Sequence, residues 1–162
     1  MARLAHQWAV RLKRLGYDID PELLRTAGLL HDIARLKPDH ARAGARILRM
    51  EGYPVMAGII QCHHRLEGGE ESGLTERTLL FLADKMTLED RMVDIDERFR
   101  QSEPKCTTPQ ARENHRLQYN QAQAVRHCLE SAMGSLEAAD AFGTSPQASV
   151  DRKARIREWA AG

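Results

Sequence analysis

A histidine followed directly by an aspartate, His31-Asp32, stands inside an otherwise apolar stretch of the sequence. The stretch covers residues 23–33 and would be apolar on nearly every side of a helix. Because burying a carboxylate without a partner costs several kcal/mol, Asp32 is expected to pair with a cation, with a network of hydrogen-bond donors, or with both. The doublet is therefore the first candidate for a buried charged site.

Similar signals recur further along the chain. Asp84 lies in a second apolar run, and Lys85 stands beside it. His40 and His63 fall on the apolar faces of their predicted helices, and His64 lies at the edge of the stripe that contains His63. Taken alone, each has a simpler interpretation, such as a hydrogen-bonded core histidine, a capping carboxylate or an imidazolium at a helix end. Taken together, two acids and several inward-pointing histidines favour a metal site.

Imidazoles and carboxylates that converge from several helices suit a divalent cation such as Mn, Fe, Zn or Mg. An aspartate beside a histidine can bridge two metals while the histidine binds one of them. Two bound metals would lower the pKa of a shared water and hold a phosphate between them. We therefore expect one or two divalent metal ions per site as the cofactor. The candidate ligands are His31, Asp32, His40, His63, His64 and Asp84.

The elements that must position these side chains are helices, because helical periodicity dominates and strand signals are almost absent. Asp20 and Pro21 form an N-cap and first-turn pair that opens a buried central helix. Asp39 is expected to cap the next helix. The fold class is therefore predicted to be all-α. The predicted helices cover residues 2–15, 21–36, 40–51, 54–64, 75–88 and 109–133.

The chain divides into three predicted parts. Residues 1–100 form the core, residues 101–142 hold a long C-terminal helix that packs on the core or extends it, and residues 143–162 form a linker and a charged tail helix. The long helix has one apolar side, which would dock on its own core or on a second copy of the chain. That side carries Leu117, Ala122, Val125, Leu129, Ala132 and Met133.

Four short motifs resemble those of the HD domain, a superfamily of metal-dependent phosphohydrolases. Residues 27–33, AGLLHDI, look like its signature, in which apolar residues lead into the His-Asp doublet. Residues 40–48, HARAGARIL, are similar to its H…GA..L helix. Residues 59–64, IIQCHH, match its I..HH element, and residues 82–85, LADK, match its closing AD motif. The four motifs follow the family's order, and the resemblance extends over the first 95 residues or so.

This resemblance implies an HD-type bundle of six to seven helices. It also implies hydrolysis of a phosphomonoester, a phosphodiester or a nucleotide phosphate. Carried over residue by residue, it implies a primary metal on one histidine and two acids, and a second metal site completed by three histidines. The primary ligands would be His31, Asp32 and Asp84, and the second set would be His40, His63 and His64.

The resemblance also implies catalytic roles. Asp32 would orient or deprotonate a metal-activated water that attacks phosphorus. Lys85 and Arg65 are candidate phosphate contacts, the first as a point charge and the second as a planar fork. We therefore take Asp32 and Lys85 as the predicted catalytic residues. The expected substrate is a phosphate-containing small molecule or a nucleotide.

One ligand of the family, a histidine of the first helix, has no matching residue in this pattern. Residues 1–5, MARLA, look like the family's VA..A stretch with Met in place of Val, which puts that histidine upstream of residue 1. His6 lies roughly 150° from the centre of the apolar arc of its helix, so we expect it to face water. We therefore expect weakened metal affinity and low or absent activity. Some HD domains follow a nucleotidyltransferase domain, so an upstream fusion partner is a further expectation.

The composition argues against several other functions. With 24 basic and 23 acidic residues, net charge predicts no general affinity for polyanions, and no basic cluster with interleaved aromatics indicates nucleic-acid binding. The three cysteines lack CxxC spacing and are typical of free thiols in a reducing compartment. No apolar run approaches the roughly 18 residues of a membrane span. We therefore expect a cytoplasmic protein with no membrane partner.

Two alternatives to the enzyme stay open. In the first, the HD pocket holds a nucleotide or a structural metal in a catalytically impaired regulatory module, and the missing first ligand favours this hypothesis. In the second, the chain is a structural helical protein that associates through its 109–133 helix, with a second copy of the chain as the candidate partner.

Overall fold

The computed structural model describes residues 1–89 and 91–134. Seven α-helices and one short antiparallel ribbon lie in these residues, and the predicted all-α fold class is confirmed. The helices are α1 (Ala2–Arg14), α2 (Pro21–Leu30), α3 (His40–Met50), α4 (Pro54–Ile60), α5 (Glu76–Lys85), α6 (Ile95–Ser102) and α7 (Pro109–Met133). The ribbon consists of β1 (Thr87–Leu88) and β2 (Arg91–Met92). Two short 3-10 helices, Glu70–Ser72 and Glu103–Lys105, complete the described elements.

Four helices begin at a side chain that caps them, among them α6, where Asp94 accepts the backbone N–H of Asp96. The Asp20 carboxylate accepts two backbone N–H groups at the start of α2. Thr75 forms a reciprocal capping box with Thr78 at the start of α5, and Thr108 accepts one N–H at the start of α7. The expected cap at Asp39 is wrong. Its backbone is left-handed, with φ 47°, and from that conformation the side chain makes no capping bond to α3.

The helix expected over residues 21–36 is shorter than predicted, because α2 ends at Leu30 and the following residues form turns. The His31 ring bonds to the carbonyl of Gly28, which satisfies an acceptor in the last helical turn. The expected burial on all sides of residues 23–33 is also wrong, since Leu29 is 65% exposed and Ile33 is 46% exposed. Apolar periodicity alone did not reveal this early end.

Two other helix ends and one element differ from the sequence prediction. The helix expected to reach residue 64 ends at Ile60 as α4. The helix expected to reach residue 88 ends at Lys85, because β1 begins at Thr87, whose hydroxyl donates to the carbonyl of Ala83. The short polar helix α6 was not predicted, since only Ile95 and Phe99 of its residues are buried. Its apolar signal is too brief to stand out.

The central helix of the core is α5. Its residues from Thr78 through Ala83 are all buried, and α1, α2, α4 and α7 pack around it. The pair α1 and α2 approaches closely at Gly28, where an added Cβ would lie 2.7 Å from the Cα of Ala2. Only glycine fits at this crossing. The helix that carries Asp84 is therefore held on several sides, and the helix that leads to His31 is held against α1.

The long helix α7 packs on the same body as the rest of the described chain. Of its predicted apolar side, Ala122, Val125, Leu129 and Met133 are buried in the core, while Leu117 and Ala132 are partly exposed. The buried Gln121 side chain bonds to both the backbone N–H and the backbone carbonyl of Leu66.

The predicted linker and tail over residues 143–162 lie outside the described residues. Among the helices that are described, none has the length and apolar character of a bilayer span.

Candidate metal centre

The His31 ring is oriented by the end of α2. Its Nδ1 lies 2.9 Å from the carbonyl oxygen of Gly28, and because that oxygen only accepts, Nδ1 carries the proton. In the neutral ring, Nε2 then keeps its lone pair. This atom lies 3.5 Å from Oδ2 of Asp32 and 3.8 Å from Oδ1 of Asp84. A backbone carbonyl on one nitrogen and acids near the other form the arrangement in which histidines bind metals.

The His63 ring is likewise oriented by a backbone carbonyl, at the end of α4. Its Nδ1 donates to the carbonyl of Ile60 at 2.7 Å, which leaves Nε2 free. That Nε2 lies 3.3 Å from Nε2 of His40 and 3.7 Å from Oδ1 of Asp32. The side chain is only 1% exposed, and burial lowers the pKa of His63 to about 4 despite the nearby Asp84 carboxylate. The ring is thus neutral at pH 7, as a ligand must be.

His64 completes a group of three imidazoles. Its ring centroid lies 4.2 Å from that of His63 and 4.3 Å from that of His40. One nitrogen from each of these three rings falls within 4.8 Å of the others. Burial lowers the pKa of His64 to about 4, and the charges on its neighbours lower it further in the same direction. The three rings therefore present nitrogen donors to a common point.

Asp32 lies between this group and His31. Its Oδ1 is 3.1 Å from Nε2 of His40, and its Oδ2 faces His31 and also accepts a bond from Arg35 at 3.1 Å. The two oxygens of one carboxylate thus point toward two sets of donors. This geometry fits a carboxylate that bridges two cations.

Asp84 and Lys85 form a pair at the base of the cluster. Lys85 is buried, and its Nζ donates to Oδ2 of Asp84 at 2.9 Å and to the carbonyl of His63 at 3.2 Å. Burial raises the pKa of Asp84, but the charge of Lys85 and its hydrogen bond outweigh that effect and hold the pKa below its usual range. The same Nζ lies 5.2 Å from the centroid of the Phe81 ring. Lys85 therefore faces inward, toward the acid.

The spacing of the six side chains fits a divalent cation. Two ligand atoms that each lie about 2.1 Å from one ion are at most about 4.2 Å apart. The ligand atoms that neighbour one another among His31, Asp32, Asp84, His40 and His63 lie 3.1–3.8 Å apart, and those of the His40, His63 and His64 group lie within 4.8 Å of one another. The structure brings all six predicted ligands together, and we call them the six-residue cluster.

Two residues considered from the sequence lie apart from the cluster. His6 bonds through Nε2 to the carboxylate of Glu22 at 3.0 Å, and its side chain is 28% exposed. It makes no contact with the cluster. Arg65 is exposed and does not line the cleft described below.

The cluster opens into a cleft of about 600 Å³. All of its members except the buried His63 line this cleft, together with Lys85. Sequence reasoning missed six polar residues that also line it, because no motif marks them. These are Arg35, Thr87, Glu89, Arg98, Lys105 and Gln118.

Comparison with known proteins agrees with this geometry. The family model for the HD domain matches residues 1–98, well over half of the chain. The chain belongs to the HD-domain family. The family consists in general of metal-dependent phosphohydrolases that bind divalent metals. The four motifs of the HD domain thus bring their histidines and acids to one cleft.

A relative of this HD-domain chain occurs in Methanocaldococcus jannaschii, where it bears the name Uncharacterized protein MJ0778. The two are 34% identical over an alignment of 101 residues, which covers 57% of this chain. The match also covers 57% of that relative, so the chain spans only a little over half of the relative's length. No solved structure matches the chain.

Proposed function

We propose that this HD-domain chain is a phosphohydrolase that uses one or two divalent cations to cleave a phosphomonoester, a phosphodiester or a nucleotide phosphate. The observation that carries the proposal is the convergence of four imidazoles and two carboxylates on one cleft, with the Nε2 lone pairs of His31 and His63 left free. A cluster built only for stability would not need four imidazole rings in contact.

The donor set indicates which residues would hold the ions. Oδ2 of Asp32, with His31 and Asp84, would hold one cation, and Oδ1 of Asp32 would face a second set of ligands. That second set is His40, His63 and His64. Mixed nitrogen and oxygen donors suit Mn, Fe or Zn, and Mg is the remaining candidate. A cation bound there lowers the pKa of water and neutralises charge on a phosphate.

The residues of the chain then have distinct tasks. Asp32 orients the attacking water and accepts its proton. Lys85 was predicted to contact the phosphate, but the direction of its Nζ favours a positioning role, in which it keeps Asp84 ionised and fixed. The carbonyls of Gly28 and Ile60 hold the histidine rings in the orientation that ligation needs.

The direct test combines metal content with turnover. Mass spectrometry of the purified chain should detect a divalent metal, and p-nitrophenyl phosphate and nucleotides should be hydrolysed in Mn²⁺. Substitution His31→Ala should remove both metal and activity, while His127→Ala should change neither, since His127 is exposed on α7. Full activity in His31→Ala would overturn the proposal.

A second candidate is the regulatory module that binds a nucleotide or metal without turnover. It is favoured by the first helix, because His6 is the one histidine of α1 and it bonds to Glu22 rather than to the cluster. In that case a nucleotide would raise the melting temperature of the metal-loaded chain while no product forms. Release of phosphate would exclude this candidate.

A further inference from the structure

Arg98 lines the cleft, and no acceptor for its guanidinium lies among the residues that the structure describes. Its Nε is buried and makes no hydrogen bond in the described part of the chain. No carboxylate among residues 1–89 and 91–134 forms an ion pair with it. Because a buried donor without an acceptor costs free energy, such a group is unusual in a native fold unless a ligand supplies the acceptor.

Lys105 is a second cation of the same cleft. It stands in the 3-10 helix Glu103–Lys105, is exposed, and forms no ion pair within the described residues. The other two basic side chains that line the cleft differ, since Lys85 pairs with Asp84 and Arg35 pairs with Asp32. We call Arg98 and Lys105 the basic wall.

The basic wall and the six-residue cluster belong to different elements. The cluster comes from α3, α5 and the turns after α2 and α4, whereas the basic wall comes from α6 and the 3-10 helix after it. Both line one cleft of about 600 Å³, a volume within the range of sites for ligands of nucleotide size. One carboxylate that lines the cleft, Glu89, has no ion pair among the described residues, and its negative charge opposes the binding of a second phosphate. Arg98 and Lys105 together place two positive charges in the cleft against this one negative charge.

We infer that the basic wall binds a second phosphate of the substrate, while the first phosphate lies at the six-residue cluster. The inference rests on the proposed function. It assigns the substrate class as a molecule of nucleotide size that carries two phosphate groups, in preference to a simple monophosphate. Arg98 supplies the planar fork that suits phosphate oxygens, and Lys105 adds a point charge.

The test compares two probes that differ by one phosphate, AMP and adenosine 3′,5′-bisphosphate. Their dissociation constants for the Mn²⁺-loaded chain are measured by calorimetry, together with their inhibition of p-nitrophenyl phosphate hydrolysis. We expect the bisphosphate to bind about tenfold or more tightly than AMP, because charge-assisted hydrogen bonds have this strength. Arg98→Met should remove most of that preference, and Lys105→Ala should reduce it.

Arg100→Met is the matched control, since Arg100 is exposed on the same helix and does not line the cleft. It should keep the preference. Hydrolysis of p-nitrophenyl phosphate, which has one phosphate, should change little in Arg100→Met. Because Lys105 is exposed, Lys105→Ala should fold normally, and its binding of the two probes tests the inference even if Arg98→Met folds poorly.

The outcomes separate the two proposals. Hydrolysis by the wild type with equal binding of both probes, or with a preference that survives both substitutions, overturns the inference and leaves the proposed function intact. Absence of hydrolysis together with a preference that depends on Arg98 removes the proposed function and supports the basic wall as a phosphate site.

Discussion

The two sides of the cleft differ in how their polar groups are satisfied. In the six-residue cluster, the two rings that follow helix ends are held by backbone carbonyls, and both acids have cationic partners. On the basic wall, neither Arg98 nor Lys105 has an acid partner among the described residues. The side chains of the six-residue cluster are therefore held in place before any ligand binds, whereas the cations of the basic wall are left to pair with a ligand. The first should therefore matter for every substrate, and the second should set the choice among them.

The largest effect is expected from Asp32→Asn. The substitution keeps the size of the side chain but removes the charge that faces both sets of ligands and the predicted base for water. We expect kcat/KM for p-nitrophenyl phosphate to fall by about 10²–10⁴-fold. The loss should be equal for monophosphate and bisphosphate substrates. A loss confined to one substrate class would contradict the division between the two sides of the cleft.

Lys85→Met tests the internal pairing of the cluster. Without the ammonium, the mostly buried Asp84 carboxylate loses its cationic partner, and breaking such a pair costs about 3–5 kcal/mol of the free energy of unfolding. Denaturant unfolding of the metal-free chain measures this loss. Saturating Mn²⁺ should restore part of it, because a cation at Asp84 replaces the lost charge. Lys105→Ala is the control and should leave the free energy of unfolding unchanged.

The pH dependence of the metal-free chain follows from His63 and His64. Both have a pKa of about 4 in the folded state, below the usual value of 6.5, so the unfolded state binds more protons between these values. The free energy of unfolding should therefore decrease as pH falls from about 6.5 to about 4. His64→Gln should flatten part of this slope. A free energy of unfolding that is constant across this window would contradict the burial of the neutral rings.

Gly28→Ala should produce a smaller effect, in the packing that supports His31. The new Cβ would lie 2.7 Å from the Cα of Ala2, and overpacking of this kind costs about 1–3 kcal/mol. Gly58→Ala is the matched control on α4, where an added Cβ meets no atom within 4 Å, and it should be neutral or stabilising. Thermal unfolding of both variants checks the pair. Equal melting temperatures would contradict the close contact of α1 with α2.

The sequence predicted the fold class well because most helices carry a long apolar face. The six predicted ligands also come together, since each stands in a motif whose apolar residues fix its direction. The early end of α2 was not predictable from periodicity, because it depends on a bond from the His31 ring to a carbonyl. The direction of Lys85 likewise depends on where Asp84 and the carbonyl of His63 lie in space.

The basic wall was missed for a different reason. Arg98 and Arg100 look alike in the sequence, and only the packing of α6 decides that one lines the cleft and the other does not. Lys105 stands in a polar break with no period at all. Charged residues on a polar surface leave little periodic pattern in the sequence, whereas residues in buried segments are marked by the apolar residues around them.

The inward-facing ammonium of Lys85 has a consequence for handling the protein. A centre that carries its own counter-ion has no need of an added ion to balance the charge of Asp84, so we expect the fold to survive a chelator. A chain that binds metal as proposed would then tolerate removal of one metal and replacement by another. Which ion works in the cell would be decided by supply and by the donor atoms, not by which ion happened to be present during folding.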